Sequence, residues 1–272
     1  MIQQLRLNEL IVPGDPQGQN IPRIHRIVTE GLVSWWDFRG GYMTTTLIDR
    51  IGGNDGAITN TTAGVFWGLG KGQAIFDGVD ELADILNSVA GGHDFTTIGN
   101  SDNFTIEAWA LTSKAADTSE ANWYGEQTII ELRTEEGAGS HVPFHFGIED
   151  TFIQLGRTDD HTVTPERQIG TIAINDGNWH HLVCAVTDDV VDFYVDRVLD
   201  VQRTFTTATG DCSVGSTTAN MQIGCRARDG GEKDQRLWDG RIGMVRIYSA
   251  ASAFDAGDVS QNYEAEQQIY GI

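Results

Sequence analysis

Carboxylates that fall close together are the first groups in this sequence with catalytic potential. Glycoside hydrolysis by retention needs two of them about 5 Å apart, one as acid and one as nucleophile. Glu131, Glu135 and Glu136 form one group, and Glu149 and Asp150 another. Neither has the spacing such a pair needs. His180 and His181 are adjacent, and neighbouring strand residues point to opposite faces, so the two imidazoles do not clasp one metal. His141 and His145 would share a face only on a helix, and Pro143 and Phe144 between them argue for a strand. All four histidines read as structural. No serine has a nucleophile context, and no phosphate loop or dinucleotide fingerprint is present. Among the aromatics, Trp36, Trp67, Trp123 and Trp238 are the candidates for stacking on a sugar ring. Trp123, in the polar stretch 120–126, is the foremost ligand-binding candidate. Trp109 and Trp179 sit in apolar motifs and read as core.

The 272 residues carry a formal net charge of -21. Such a surface repels phosphate backbones and anionic lipid, which argues against nucleic-acid and membrane partners. Its simplest consequence is solubility. The three cysteines, Cys184, Cys212 and Cys225, give no disulfide framework and no zinc spacing. Cys184 reads as a small core residue, and a Cys212–Cys225 bridge stays open. The first residues lack an apolar stretch after a basic region, so the expectation is synthesis in a cytoplasm without a signal peptide. Asn60 and Asn103 head glycosylation patterns that read as chance matches without secretion.

These residues need elements to position them. Residues 1–30 hold three of the five prolines, with scattered Leu, Ile and Val. They read as an extended arm that docks on a neighbour or on its own domain. From residue 31 to 250 the chain reads as short strands between Gly- and Asp-rich turns. Phe104, Ile106 and Ala108 alternate with polar or large residues and share a face; so do Val191, Phe193 and Val195. Asp188-Asp189 marks a hairpin. Many strands and no βαβ alternation predict an all-β jelly-roll sandwich of two antiparallel sheets. Residues 251–272 predict a short C-terminal helix, with Ser252 as N-cap, Asp255 three residues on, and Val259 and Tyr263 on one face.

The order of segments resembles the laminin-G-like branch of the concanavalin A-like lectin/glucanase superfamily. The resemblance rests on Gly31–Phe38, Asp49–Gly56, Phe76-Asp77-Gly78-Val79-Asp80, Asn103–Trp109, Asp176-Gly177-Asn178-Trp179-His180-His181, Phe193–Asp196 and Trp238–Tyr248. It implies the sandwich fold. The Glu-x-Asp-x-x-Glu pattern of the glucanase branch is missing, so no catalytic residue is expected. Relatives often hold a structural calcium, and the resemblance implies Asp37 as a ligand. Gly243, where the family usually has Asp, departs from that pattern, and Asp77 and Asp80 read instead as turn caps. No cofactor is required on this reading, with calcium as the one ion to weigh. The tail Gln261–Ala265 with Tyr270-Gly271-Ile272 is similar to endings of phage virion proteins. The resemblance therefore implies a non-enzymatic virion structural protein, a capsid decoration or tail-associated subunit. Other virion proteins would be held through residues 1–30, and the subunit would form a homo-oligomer. The alternative is a lectin-like module that binds a host glycan; a glycoside hydrolase comes third.

Overall fold

Alternation along each strand buries one face and sets two sheets against each other. The computed structural model describes residues 27–38, 46–59, 73–85, 95, 98, 103–115, 127–136, 139–158, 166–208, 212, 220–226, 236–249 and 253–272. The seven-stranded sheet runs β1 (Leu32–Asp37), β15 (Asp239–Ser249), β6 (Asn103–Leu111), β11 (Trp179–Thr187), β12 (Val190–Val195), β13 (Val198–Thr204), with β4 (Ala74–Asp77) also on β15. The eight-stranded sheet runs β10 (Glu166–Ala173), β9 (Phe152–Arg157), β8 (Gly139–Glu149), β7 (Gln127–Glu136), β14 (Asn220–Ile223), β5 (Leu82–Ile85), β3 (Gly56–Thr59), β2 (Thr46–Leu47). Every pairing between these strands is antiparallel. The expected sandwich is the one observed.

Phe104, Ile106 and Ala108 face the core, as do Val191, Phe193 and Val195, together with Phe144, Phe146, Ile148, Ile153 and Leu155 from the opposite sheet. Asp188, with φ 52°, makes the hairpin turn between β11 and β12. All three cysteines are buried and none forms a disulfide, which closes the Cys212–Cys225 alternative.

A third layer covers the outer face of the seven-stranded sheet. Helix α1 (Ala256–Tyr270) buries Val259, Asn262, Tyr263, Glu266 and Tyr270. Its N-cap is Asp255 and not Ser252, which lies outside the described residues. The Asp255 carboxylate accepts from the amides of Gly257 (2.7 Å) and Asp258 (3.0 Å), and Asp258 accepts from the Asp255 amide. Both Ser252 and Asp255 have an acid three residues on. The later box wins because it places Phe254 before the cap and Val259 at the fourth helical position. Both are buried in one apolar cluster, where they staple the helix start. Trp109 and Trp179, expected in the core, lie instead in this outer layer. Trp109 stacks on Tyr270 at 4.4 Å and on Tyr263 at 5.6 Å between ring centres.

Candidate functional site

The outer layer is held by charge as much as by apolar contact. Glu107 on β6 stands opposite Arg246 on β15, both wholly buried. The Glu107 carboxylate accepts from Arg246 Nη1 (3.3 Å), Tyr248 OH (3.1 Å) and Asn262 Nδ2 (2.8 Å), and it pairs with His181 Nε2 at 2.6 Å. Burial alone would raise its pKa, but Arg246, His181 and Asn262 outweigh that and bring it to about 2. Arg246 also donates to Glu266 of the helix, which accepts from Trp109 Nε1 at 3.1 Å. Asn262 Oδ1 accepts the Val28 amide at 2.7 Å, so the segment leading into β1 is tied to α1.

The eight-stranded sheet carries a second polar face. Arg167, Gly156, His145, Glu131, Gln222 and Asp84 are in register across β10, β9, β8, β7, β14 and β5. Their strand neighbours Ile130, Phe144, Phe146 and Ile223 point into the core, so this row lies on the outward face. Strands spaced about 4.8 Å apart make it about 24 Å long. Glu131 is wholly buried and accepts from Arg133 Nε (2.5 Å) and pairs with His145 Nδ1 (2.8 Å). Burial works to raise its pKa, and Arg133, His145 and Arg236 pull it well below the carboxylate range. Gln222 donates to Asp84. On β9, opposite Gly147 and on the same face as His145, Gln154 is wholly buried, and among the described residues neither of its amide atoms has a hydrogen-bond partner. A buried amide with no partner is costly, and it marks a place where a polar ligand or water would be stabilised.

The motif Asp176–His181 forms one end of the first sheet. His180 lies between Asp196 (Nδ1, 2.8 Å) and Asp176 (Nε2, 3.1 Å). Burial lowers the His180 pKa, but the two aspartates more than reverse this and raise it. Asp176 is brought to about 2 against its own desolvation, mainly by its bonds from Asn178 and His180. Asp196 and Arg197, with φ 49° and 67°, make the two-residue turn into β13. The Asp196 carboxylate takes the His181 amide, and Arg197 reaches Glu264 and the Tyr263 ring of α1. A pocket of about 430 Å³ opens here between Trp179, His180, Asp196 and Tyr270. Of the groups that line it, Asp176, Asn178, His180 and Asp196 are bonded to one another, so the motif works as a lock between a strand end and a hairpin turn. His180 and His181 do bond to different carboxylates, as adjacent strand residues must.

Asp37, the expected calcium ligand, is buried on β1 and ion-paired with Arg50 at 3.0 Å. The guanidinium supplies the charge that a cation would bring. Gly243, near the partner strand position, has no room for a side chain because the Tyr270 ring lies against it. Arg50 is thus the cation that meets Asp37 in this structure. Asp77, Asp80 and Glu81 do converge. Asp77 accepts the Val79 amide (2.8 Å) and Glu81 the Asp77 amide (3.0 Å), which is the turn-capping role expected of Asp77. Trp123, Trp67 and residues 1–26 lie outside the described residues. Sequence reasoning weighs His145 as a metal ligand and reads it as structural; the signal that sets it on the outward face is a polar residue at an alternating position in the apolar run Phe144–Ile148.

Among the described residues no helix is long and apolar enough to cross a membrane. No curated protein matches the chain. Solved structures do. A Trypanosoma rangeli sialidase in complex with sialic acid is 15% identical with a TM-score of 0.55, over 90% of this chain and 35% of that one. The receptor-binding domain of botulinum neurotoxin type G is 14% identical with a TM-score of 0.54, over 87% and 52%. A botulinum neurotoxin type C structure, described by interaction with two ganglioside molecules, is 12% identical with a TM-score of 0.56, over 86% and 51%. The chain thus spans about a third to a half of the structures it matches, and the likeness is one of fold. The family model described as concanavalin A-like lectin/glucanases superfamily matches residues 88–257, more than half the chain, and the protein belongs to that family.

Proposed function

We propose that this chain is a non-enzymatic structural subunit of a phage virion, a capsid decoration or tail-associated protein held by protein contacts. The observation that supports the non-enzymatic part is the state of two wholly buried carboxylates, Glu107 and Glu131. Glu107 and Glu131 are each fixed by an arginine and a histidine and held ionised, so neither serves as a proton donor near neutral pH. The attachment part is supported by the Val28–Asn262 bond, which fixes where the N-terminal segment meets the domain. In this reading residues 1–26 engage other virion proteins or further copies of the chain, and no cofactor is needed. Virions purified on a density gradient should contain the chain at stoichiometric copy number by quantitative mass spectrometry. Its absence from washed particles would refute the proposal.

A second reading is favoured by the outward face of the eight-stranded sheet. Gln154 lies on that face with an amide donor and acceptor that have no partner among the described residues. The similar structures include domains described by receptor, sialic acid or ganglioside binding. A glycan array probed with the pure chain tests this. Signal that Gln154→Ala removes supports glycan recognition, and an empty array refutes it.

A further inference from the structure

We propose that the loop Thr206-Thr207-Ala208 is an oxyanion-binding site whose ligand in this chain is the carboxylate of its own Glu166. Glu166 opens β10 at one edge of the eight-stranded sheet, and the loop follows β13 at the edge of the other sheet. The Glu166 Oε2 atom accepts three successive backbone amides, from Thr206 (2.7 Å), Thr207 (2.6 Å) and Ala208 (3.1 Å). It also accepts the Thr207 hydroxyl at 2.9 Å. Oε1 accepts the Thr206 hydroxyl (3.1 Å) and Gln168 Nε2 (3.0 Å). Six donors therefore converge on one carboxylate, and among the described residues no salt bridge reaches it. Successive amides turned toward one point form a concavity of positive potential that binds carboxylate, phosphate or sulfate oxygens. Here that concavity is filled from within.

The occupant is also a latch. It ties the edge of one sheet to the loop that leaves the edge of the other, next to the Gln168–Thr204 and Arg203–Ile169 bonds along the same seam. Desolvation works to raise the Glu166 pKa, but the amides of Thr207, Ala208 and Thr206 outweigh it and bring it to about 2. The latch is thus ionised and closed at every physiological pH. Its stabilisation is complete above the ordinary glutamate pKa and is lost only as pH falls toward 2. While Glu166 is in place the site is closed to outside anions; remove the carboxylate and the donors are left for one.

The test compares wild type, Glu166→Ala and Glu166→Gln by thermal melting in inorganic phosphate, acetate and chloride at matched ionic strength. The alanine variant should melt below wild type in chloride and recover part of that loss in phosphate or acetate. Wild type and the glutamine variant, whose nests stay filled, should show no such preference. Acetate acting as well as phosphate assigns a carboxylate ligand, and phosphate acting alone assigns a tetrahedral one. A folded alanine variant that treats phosphate, acetate and chloride alike overturns the proposal, and so does an equal response from all three proteins. Wild type gives an independent reading. The amide protons of Thr206, Thr207 and Ala208 should shift together in an acid titration with a midpoint near 2. A midpoint near the ordinary glutamate value of 4.5 would overturn the latch directly.

Discussion

Arg246 sits between two carboxylates, Glu107 of the sheet and Glu266 of the helix, with no water-facing surface. Replacing it with methionine keeps volume but leaves both acids buried beside one uncharged side chain. Removing one partner of a buried charge cluster costs about 3–5 kcal/mol. Arg246→Met should lose that much in a urea melt, and a loss below about 1 kcal/mol would mean the network is only incidental to stability. His180 makes a pH prediction whose sign follows from its partners. Its folded pKa is raised above 6.5, so its contribution is full below that value and fades as pH rises through the folded pKa. Melting temperature should therefore fall in wild type as pH rises above 6.5 through the folded pKa, and His180→Gln should flatten that fall. Equal pH profiles for the two proteins would show that Asp176 and Asp196 do not hold a proton there.

The strands were legible because alternation is a local property. Phe104–Trp109 and Val190–Val195 announce which side faces in, and the register in the sheets agrees. The outer layer was not legible. Glu107, His181, Arg246 and Glu266 are far apart in sequence, and each looks like surface until the sheet and helix bring them together. Trp109 and Trp179 were assigned to the core because large aromatics are usually buried; they are buried, but beneath α1. Sheet edges are a further feature that sequence does not reveal. Asp200 accepts the exposed edge amides of Thr171 (2.6 Å) and Ile172 (3.2 Å) on β10. It occupies amides that another chain's strand would otherwise pair with. Asp200→Ala should leave the fold intact and increase light scattering on heating. Unchanged scattering would show that the edge is protected by other means.

For the whole molecule, charge and attachment belong together. A net charge of -21 keeps copies apart unless a specific contact overcomes it, and addition of salt screens that repulsion within about 10 Å at 0.1 M. Asp37 is already neutralised by Arg50, so calcium and chelator should leave the melting temperature unchanged; a clear rise with calcium would show a site that the Asp37–Arg50 pair does not account for. The central claim is that this sandwich is a scaffold attached through its N-terminal segment. Val28 and the residues after it belong to the folded domain, so the informative cut removes residues 1–26 and spares the Val28–Asn262 bond. The measurement is co-sedimentation of full-length and truncated chains with particles lacking the protein, with circular dichroism on each. The account predicts an unchanged β-type spectrum and loss of particle binding in the truncated chain. A truncated chain that folds and still sediments with unchanged affinity would contradict it.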